Sequence, residues 1–286
     1  MKLIILFLII AIIIVGTPVF IFLERGRWFW KPPIATLSDI EGIEYKEYTG
    51  GPLLKSGLEL LKARRNNEAD DVFDRILINN PNNVDALWGK AETSRRNSDF
   101  EKARVFISRA IEIKPKHVPS LVTLAYLNYK KDNFKEALRI IDELLSRRAT
   151  DYEARALAYV ILGKVNARRW SKGSFISKIR YNTQIECYFL RAKEIAPDSA
   201  EVRMALGTFY LLAPAAIGGN INKAFEEVGA AIGIAPDYAS ANARLAQMYL
   251  NKGNYDKYSF FIKRAKQLDP QNEVLRELGE AEDEEP

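Results

Sequence analysis

The sequence predicts an all-α fold, a solenoid in which pairs of helices stack one upon another. Two series of residues, both spaced 34 positions apart, carry this prediction. They are the alanines Ala69, Ala103 and Ala137, and the proline pairs Pro81 with Pro115 and Pro236 with Pro270. A constant period of this length indicates one small structural unit repeated along the chain, because a single unit cannot bury its own apolar face.

The period accounts for residues 50–272. The interval from Pro115 to Pro197 is 82 residues, which is 14 more than two periods. The interval from Pro197 to Pro236 is 39 residues, which is five more than one period. Six repeats and two insertions therefore fill this range. The insertions are expected near residues 168–181, where a basic stretch interrupts the fourth repeat, and near residues 213–220.

Each repeat is expected to form two helices that end at or near a proline. Small residues in the first helix let the two helices approach closely, and larger residues in the second fill the space towards the next pair. The small residues are Gly57, Ala91, Ala125, Ala158, Gly207 and Ala246. The larger residues are Phe73, Ile107, Ile141, Phe189 and Ile262. A capping helix with Val274, Leu275 and Leu278 and an acidic tail occupy residues 273–286.

This pattern resembles the tetratricopeptide repeat. The resemblance implies a right-handed superhelical solenoid of about six repeats plus a capping helix, and the repeats cover about four-fifths of the chain. The apolar segment described below predicts one transmembrane helix before this solenoid. Two positions depart from the family pattern: Ala149 replaces a proline, and Tyr258 stands where alanine is usual.

Composition argues against an enzyme or a metal centre. The chain has one cysteine, Cys187, and one histidine, His117, which rules out an internal disulfide and any site built from several of either residue. His117 lies between two prolines and is expected to be an exposed turn residue, with no reason to meet Cys187. No phosphate-binding glycine loop occurs. We therefore expect no catalytic residues, no metal and no cofactor.

An apolar segment is expected to anchor the chain in a membrane. Leu3 to Leu23 are 21 residues without a charge, and as a helix they would span roughly 30 Å, the thickness of a bilayer core. The prediction assigns residues 1–24 to this signal-anchor and residues 25–49 to a juxtamembrane linker. Aromatic rings and cations that suit the headgroup layer follow directly. They are Arg25, Arg27, Trp28, Phe29, Trp30 and Lys31.

Two questions about this segment stay open. The apolar run could instead be a cleaved signal peptide, although it lacks a small-x-small cleavage site and Pro18 would follow a cut at Thr17. A count of positive charges favours a cytoplasmic body, whereas the Met-Lys-apolar start is typical of a secretory signal-anchor. We expect an uncleaved anchor and an extracytoplasmic (periplasmic) body, with the cytoplasmic side as the alternative.

The family resemblance also implies a binding function. In a helical solenoid the first helix of each pair lines a concave groove, and arginine and aromatic side chains there anchor peptides well. We expect the groove to bind a peptide or helix of a protein partner, so that the protein acts as a scaffold or adaptor. The expected groove residues are Trp88, Glu92, Arg95, Arg96, Tyr126, Tyr129, Lys130, Arg155, Tyr159, Met204 and Thr208.

The charge distribution suggests a second contact with the membrane. The formal net charge is +5, and the chain without the five acidic residues near its C-terminus carries +10. Basic residues of the fourth-repeat insertion are expected to contact anionic lipid headgroups. They are Arg168, Arg169, Lys172, Lys178 and Arg180. The alternative function is small-ligand or lipid binding, as a component of an envelope or transport system. No nucleic-acid partner is expected beside a membrane anchor.

Overall fold

Helices form all the regular secondary structure in the part of the chain that the structure describes. The computed structural model describes residues 51–147, 151–173 and 175–283. The predicted anchor and linker, residues 1–49, lie outside the described residues. Within the described ranges, none of the helices has both the length and the apolar character that crossing a bilayer requires.

Thirteen α-helices and one short 3₁₀ helix follow one another in these ranges. The α-helices are α1 (Pro52–Lys62), α2 (Asn66–Asn79), α3 (Val84–Arg96), α4 (Phe100–Ile113), α5 (Val118–Lys130), α6 (Phe134–Ser146), α7 (Tyr152–Lys172), α8 (Phe175–Ile195), α9 (Ala200–Leu212), α10 (Ile221–Ile234), α11 (Ala239–Asn251), α12 (Tyr255–Leu268) and α13 (Glu273–Asp283). The 3₁₀ helix, Ala215–Ile217, lies between α9 and α10.

Consecutive helices pack in six pairs, from α1 with α2 to α11 with α12, and α13 packs against α11. Short turns join the helices of a pair, so the two run antiparallel. The first helix of each pair also packs against the first helix of the next pair. The first helices therefore form an inner wall, and the second helices lie outside it. The predicted all-α solenoid is confirmed.

The turn inside a pair is fixed by a backbone position that repeats with the 34-residue period. Arg64, Ser98 and Asp132 have left-handed φ angles of 64°, 62° and 57°, and Gly253 has 69° in the sixth pair. Asp99 follows directly in the second pair, and its side chain accepts a 3.0 Å hydrogen bond from a backbone N–H in the first turn of α4. The same sharp turn thus starts the second helix of several pairs.

Close approach of neighbouring helices explains the need for small residues on the inner helices. The Phe73 ring of α2 is fully buried between α1 and α3. A Cβ atom added to Gly89 would lie 2.4 Å from this ring, and one added to Gly57 would lie 2.8 Å from it. One aromatic ring therefore fills the space that two glycines leave, and it joins the first pair to the second.

The basic stretch was expected to interrupt the fourth repeat, but in the structure it is part of a longer helix. α7 and α8 each contain 21 residues, whereas α5 and α6 each contain 13. Each helix is eight residues longer, which is close to two helical turns, so the packing faces stay nearly in register. The helix continues through Arg168 to Lys172, and Gly173 marks its end.

His117 is a correction to the sequence analysis, which expected an exposed turn residue. Its side chain is buried, with 5% exposure, at the residue that precedes α5. Its ring nitrogens lie 2.8 Å from Ser120 Oγ and 3.1 Å from Asp85 Oδ1. The carboxylate belongs to the first turn of α3, so the preceding pair covers the histidine. The turn before α5 is therefore buried, because the first turn of α3 packs on it.

Candidate functional site

The inner wall surrounds a cavity of about 900 Å³, which we call the hollow. The curvature of the stack brings the first pair opposite the fifth and sixth pairs. The Arg64 guanidinium lies 3.9 Å from the centre of the Tyr238 ring, and Arg64 Nη2 donates a 3.0 Å hydrogen bond to Glu201 Oε2. Residues 137 positions apart are therefore in contact, and the hollow is closed on this side.

Three arginines and two glutamates form a buried network on this wall, which we call the arginine cluster: Arg64, Arg95, Arg96, Glu92 and Glu201. Arg95 is central to it. Its Nη2 lies 3.1 Å from both oxygens of Glu201, and its Nε donates a 2.9 Å hydrogen bond to Glu92. Arg96 Nε donates a second 2.9 Å bond to Glu92. The network ties α3 to the N-terminal end of α9.

The faces of two tyrosine rings make cation–π contacts with cations of this wall. The Arg95 guanidinium lies 4.5 Å from the centre of the Tyr126 ring, and the Lys164 ammonium lies 5.1 Å from the same ring. Tyr238 holds Arg64 in the same way. Such cation–π contacts contribute about 0.5–2 kcal/mol each, depending on desolvation. The tyrosines therefore fix the direction in which the cations point into the hollow.

The carboxylates of the cluster are strongly ionised. Burial alone would raise the pKa of Glu92, but Arg95 and Arg96 outweigh it and hold this pKa at about 2. Burial would likewise raise the pKa of Glu201, but Arg95 and Arg64 lower it well below its usual range. Both groups are therefore charged at neutral pH, and their charges are matched by the arginines.

Lys164 of α7 differs from the other cations that line the hollow, because it has no ion pair among the described residues. Burial lowers its pKa, and although Glu201 acts in the opposite direction, Arg95 and Lys130 add to the shift. The resulting pKa is about 8. Lys164 is thus a largely charged, partly buried ammonium group that lines the hollow and has no partner carboxylate in the part of the chain that the structure describes.

Ion pairs also join other distant parts of the inner wall. Lys130 of α5 pairs with Glu273 of α13, across 143 residues of sequence. In the turn after α5, Asp132 accepts from Lys172 Nζ at 2.9 Å and pairs with Arg168 Nε at 3.1 Å. The first of these contacts closes the hollow a second time, and the others fasten the lengthened α7 to the third pair.

Three of the residues expected to contact lipid also contact neighbouring residues of the third pair. Arg168 and Lys172 share the Asp132 carboxylate, and the Arg169 guanidinium lies 5.8 Å from the centre of the Phe134 ring. The side chains of Lys178 and Arg180 lie outside the described part of the molecule. Lys172 and Arg168 stay 61% and 38% exposed in these ion pairs, so the predicted contact with lipid headgroups stays a prediction.

Seven of the predicted groove residues line the hollow. They are Arg95, Arg96, Tyr126, Tyr129, Lys130, Met204 and Thr208. Glu92 lies directly behind them, buried in the arginine cluster. Their positions agree with the expectation that the first helices face a common concave space, because α3, α5 and α9 all belong to the inner wall.

Three predicted groove residues are placed elsewhere. Trp88 Nε1 donates a 3.1 Å hydrogen bond to Thr123 Oγ1, which links α3 to α5. The Tyr159 ring is 1% exposed and stacks on the Tyr188 ring of α8. Arg155 is buried at the start of α7, where its Nη1 lies 3.4 Å from the Arg147 carbonyl oxygen. These side chains pack between helices, because they lie on the flanks of the inner helices.

Among the residues of the hollow that sequence reasoning missed are Arg64, Lys164, Glu201 and Tyr238. A signal for one of them was present, because Lys164 follows Arg96 and Lys130 at the same 34-residue interval. Equivalent positions of successive repeats point the same way, so a basic residue at each of them forms a column of charge. No comparable signal marks the other three, which enter the site through the curvature of the whole stack.

The residues weighed for catalysis are not brought together. His117 is held by Asp85 and Ser120, as described above. Burial and Glu186 raise the pKa of the Cys187 thiol, which is partly buried, so the reactive thiolate is disfavoured. Among the described residues, no group of three or more histidine, cysteine or acidic side chains could hold a metal ion.

Comparisons with known proteins agree with this architecture. Two sequence profiles of the tetratricopeptide repeat match the chain, over residues 54–118 and over residues 239–272. The chain contains tetratricopeptide repeats. No curated protein sequence gives a significant match.

Solved structures with the same arrangement of helices include human IFIT1. A dimer of IFIT1 with PPP-AAAA and a monomeric mutant with Gppp-AAAA each align with a TM-score of 0.55 and 18% identity. The alignments cover 80% of this chain and 51–52% of IFIT1, so the chain spans about half the length of that protein. PilW, a type IV pilus biogenesis factor, aligns over 79% of this chain with a TM-score of 0.44 and 15% identity. At 18% identity the likeness to IFIT1 shows the fold alone.

Proposed function

We propose that this protein is a membrane-anchored interaction protein whose tetratricopeptide solenoid binds a segment of a protein partner in the hollow. The observation that carries the proposal is the hollow itself, about 900 Å³ in volume and lined by arginine, lysine and tyrosine side chains of the inner helices. Solenoids of this repeat generally mediate contacts between proteins. Arginine and tyrosine are also the residue types that contribute most to binding energy at protein interfaces.

The proposed partner segment is a peptide or a helix, and the proposed role is scaffolding rather than catalysis. Rigid inner helices hold the lining side chains in place before the partner arrives. Arg95, clamped between Glu92 and the Tyr126 ring, is a direct example. Binding to such a preordered wall loses less conformational entropy than binding to a flexible loop, which favours affinity.

Photo-crosslinking in cells tests the proposed site. A benzophenone amino acid is placed at Thr208, which lines the hollow, or at Ser108, which is exposed on the outer helix α4. We expect a discrete crosslinked protein from Thr208 in the full-length chain and no such product from Ser108. Crosslinking from Ser108 alone would move the binding surface to the outer helices and contradict the proposal.

We further propose that residues 1–24 anchor the protein, with Trp28, Phe29 and Trp30 in the headgroup layer and the solenoid on the extracytoplasmic side. The uncharged apolar run supports the anchor, and the signal-anchor-like start supports the orientation. Alkaline carbonate extraction tests the anchor, and protease treatment of spheroplasts tests the orientation. We expect the protein to stay in the membrane pellet and its solenoid to be cleaved in spheroplasts with an intact inner membrane. Release into the supernatant would rule out the anchor.

A second candidate function is binding of a small apolar ligand. The volume of the hollow lies within the range of roughly 300–1,000 Å³ that small-molecule sites occupy. Trp170, which lines the hollow beside Phe189 and Leu212, would offer an apolar contact. A thermal-shift screen with small apolar molecules distinguishes the two functions, because only the second one expects stabilisation of the full-length protein.

A further inference from the structure

A column of positive charge runs along the inner wall of the hollow. Arg96, Lys130 and Lys164 occupy equivalent positions of three successive inner helices, 34 residues apart. All three line the hollow. Because each repeat contributes one cation at the same place, the spacing of charges follows the rise of the solenoid. Such a column suits an extended chain that carries several negative groups.

Glu201 enters this wall from the opposite side of the solenoid. Its carboxylate lies 3.0 Å from Arg64 Nη2 and 3.1 Å from Arg95 Nη2, while its own helix, α9, belongs to the fifth pair. The side chains of all three residues are at most 15% exposed. The contact shows that these two arginines bind a carboxylate, since that of Glu201 already lies between them.

The groups around Lys164 carry more positive than negative charge. Eight cations and six carboxylates line the hollow, and Lys164 is the one of these cations that has no ion pair among the described residues. The groups facing it are Arg95 of α3, Tyr126 and Lys130 of α5, Glu201 of α9 and Glu273 of α13. A bound anion beside Lys164 would therefore reduce repulsion between three cations.

We propose that the hollow binds an acidic segment of the protein partner, and that Glu201 is an internal carboxylate that occupies part of this site in the free protein. The segment would place one carboxylate beside Lys164 and a second one where Glu201 now lies between Arg64 and Arg95. Displacement of Glu201 would release the contact between the first and fifth pairs, so binding and opening of the hollow are coupled. This inference rests on the proposed function and adds the chemistry of the partner.

The observations favour an acidic peptide over a phosphate-bearing chain. The group already seated between the arginines is a carboxylate on a polypeptide, and the forked guanidinium ends of Arg64 and Arg95 reach its two oxygens together. Binding of a 5′-triphosphate RNA is therefore the competing outcome of the test.

The test measures binding of a fluorescent hexaglutamate peptide to the full-length protein by anisotropy, with hexaglutamine as the neutral probe. We expect Glu201→Gln to bind hexaglutamate about tenfold more tightly than wild type, because the substitution removes the internal competitor. We expect Lys164→Met to weaken binding about fivefold or more. Wild-type binding should weaken between pH 7 and pH 9 as Lys164 loses its proton, and Lys164→Met should lack this change.

Two matched variants control for net charge. Glu226→Gln on α10 and Lys266→Met on α12 make the same charge changes at exposed positions away from the hollow. Both should bind hexaglutamate as wild type does. If Glu201→Gln and Glu226→Gln bind alike, or if Lys164→Met and Lys266→Met bind alike, the inference is overturned. Tighter binding of 5′-triphosphate RNA than of hexaglutamate would also overturn it.

The Thr208 crosslink separates this inference from the proposed function. A crosslinked partner together with no response of hexaglutamate binding to Glu201→Gln would leave the hollow as the partner site and remove its acidic specificity. If neither the Thr208 crosslink nor a response of hexaglutamate binding to Glu201→Gln is observed, the proposed function is contradicted as well. Circular dichroism melting of each variant shows whether a loss of binding reflects a loss of fold.

Discussion

Arg64 combines a strained backbone with a buried side chain. Its φ angle is 64°, a region that side chains other than glycine enter at a cost of about 1 kcal/mol. Ser98 takes the same position in the next repeat, but its small side chain makes no long-range contact that compares with the pairing of Arg64 to Glu201 and Tyr238. The left-handed angle at Arg64 therefore belongs to the repeated turn, and the contacts of its side chain across the hollow are a separate contribution.

Substitution by glycine should separate these two effects. We expect Ser98→Gly to raise the free energy of unfolding by up to about 1 kcal/mol, because it relieves the left-handed turn. We expect Arg64→Gly to lower the free energy of unfolding by about 1–3 kcal/mol, because the buried Glu201 carboxylate loses a partner and this loss outweighs the relief of the turn. Urea denaturation of both variants measures the difference. Equal shifts would show that Arg64 acts through its backbone alone.

Lys164 should limit the stability of the free protein. Its folded pKa of about 8 lies below the usual lysine value of 10.5, so the folded state disfavours the charged form. The penalty is fully present below pH 8 and disappears as the pH rises towards 10.5, because the unfolded chain binds more protons within this window. We expect Lys164→Met to be more stable than wild type at pH 7, on the order of 1–3 kcal/mol.

The pH dependence of this gain is the diagnostic result. The difference in unfolding free energy between Lys164→Met and wild type should shrink from pH 8 to pH 10.5, whereas Lys266→Met on the exposed face of α12 should show no such trend. A gain that stays constant over this range would mean that added apolar packing, and not the relieved charge, stabilises the variant.

At the scale of helix pairs, stability depends on how closely the inner helices approach the Phe73 ring. We expect Gly89→Ala to lower the free energy of unfolding by about 1–3 kcal/mol, since the new methyl group would lie 2.4 Å from the ring. Gly229 of α10 is the control, because a Cβ there meets nothing within 4 Å. Gly229→Ala should raise stability by about 0.5–1 kcal/mol through helix propensity. Thermal unfolding followed by circular dichroism measures both, and a stabilising Gly89→Ala would contradict the packing described.

The fourth pair shows how far local sequence can predict an element. The 14-residue excess between Pro115 and Pro197 is visible in the sequence, but its form is not. Residues Arg168 to Lys172 are compatible with a helix, so the chain extends α7 and α8 together instead of forming a loop. Tertiary pairing decides this, because each added turn of one helix packs on an added turn of the other.

At the scale of the molecule, the repeats could be predicted and the closure of the hollow could not. The period follows from contacts within and between neighbouring repeats, which are local in sequence. The contacts of Arg64 with Glu201 and of Lys130 with Glu273 span 137 and 143 residues. These contacts depend on small rotations between neighbouring pairs that add up along the stack. The total rotation cannot be predicted from the sequence of any one repeat. For the same reason, the sequence located Arg95 and Tyr126 in the groove but not their partners across it.

A distance measurement between the two ends of the solenoid tests the closed hollow most directly. Spin labels are placed at Asn67 and Gln271, two exposed residues that line the hollow from the first and last repeats, in a Cys187→Ser background. We expect double electron–electron resonance of the full-length protein to give one short, narrow distance distribution, which broadens towards longer distances in Glu201→Gln. A long or broad distribution in the otherwise wild-type protein would contradict the closed solenoid, and with it the binding site inside it.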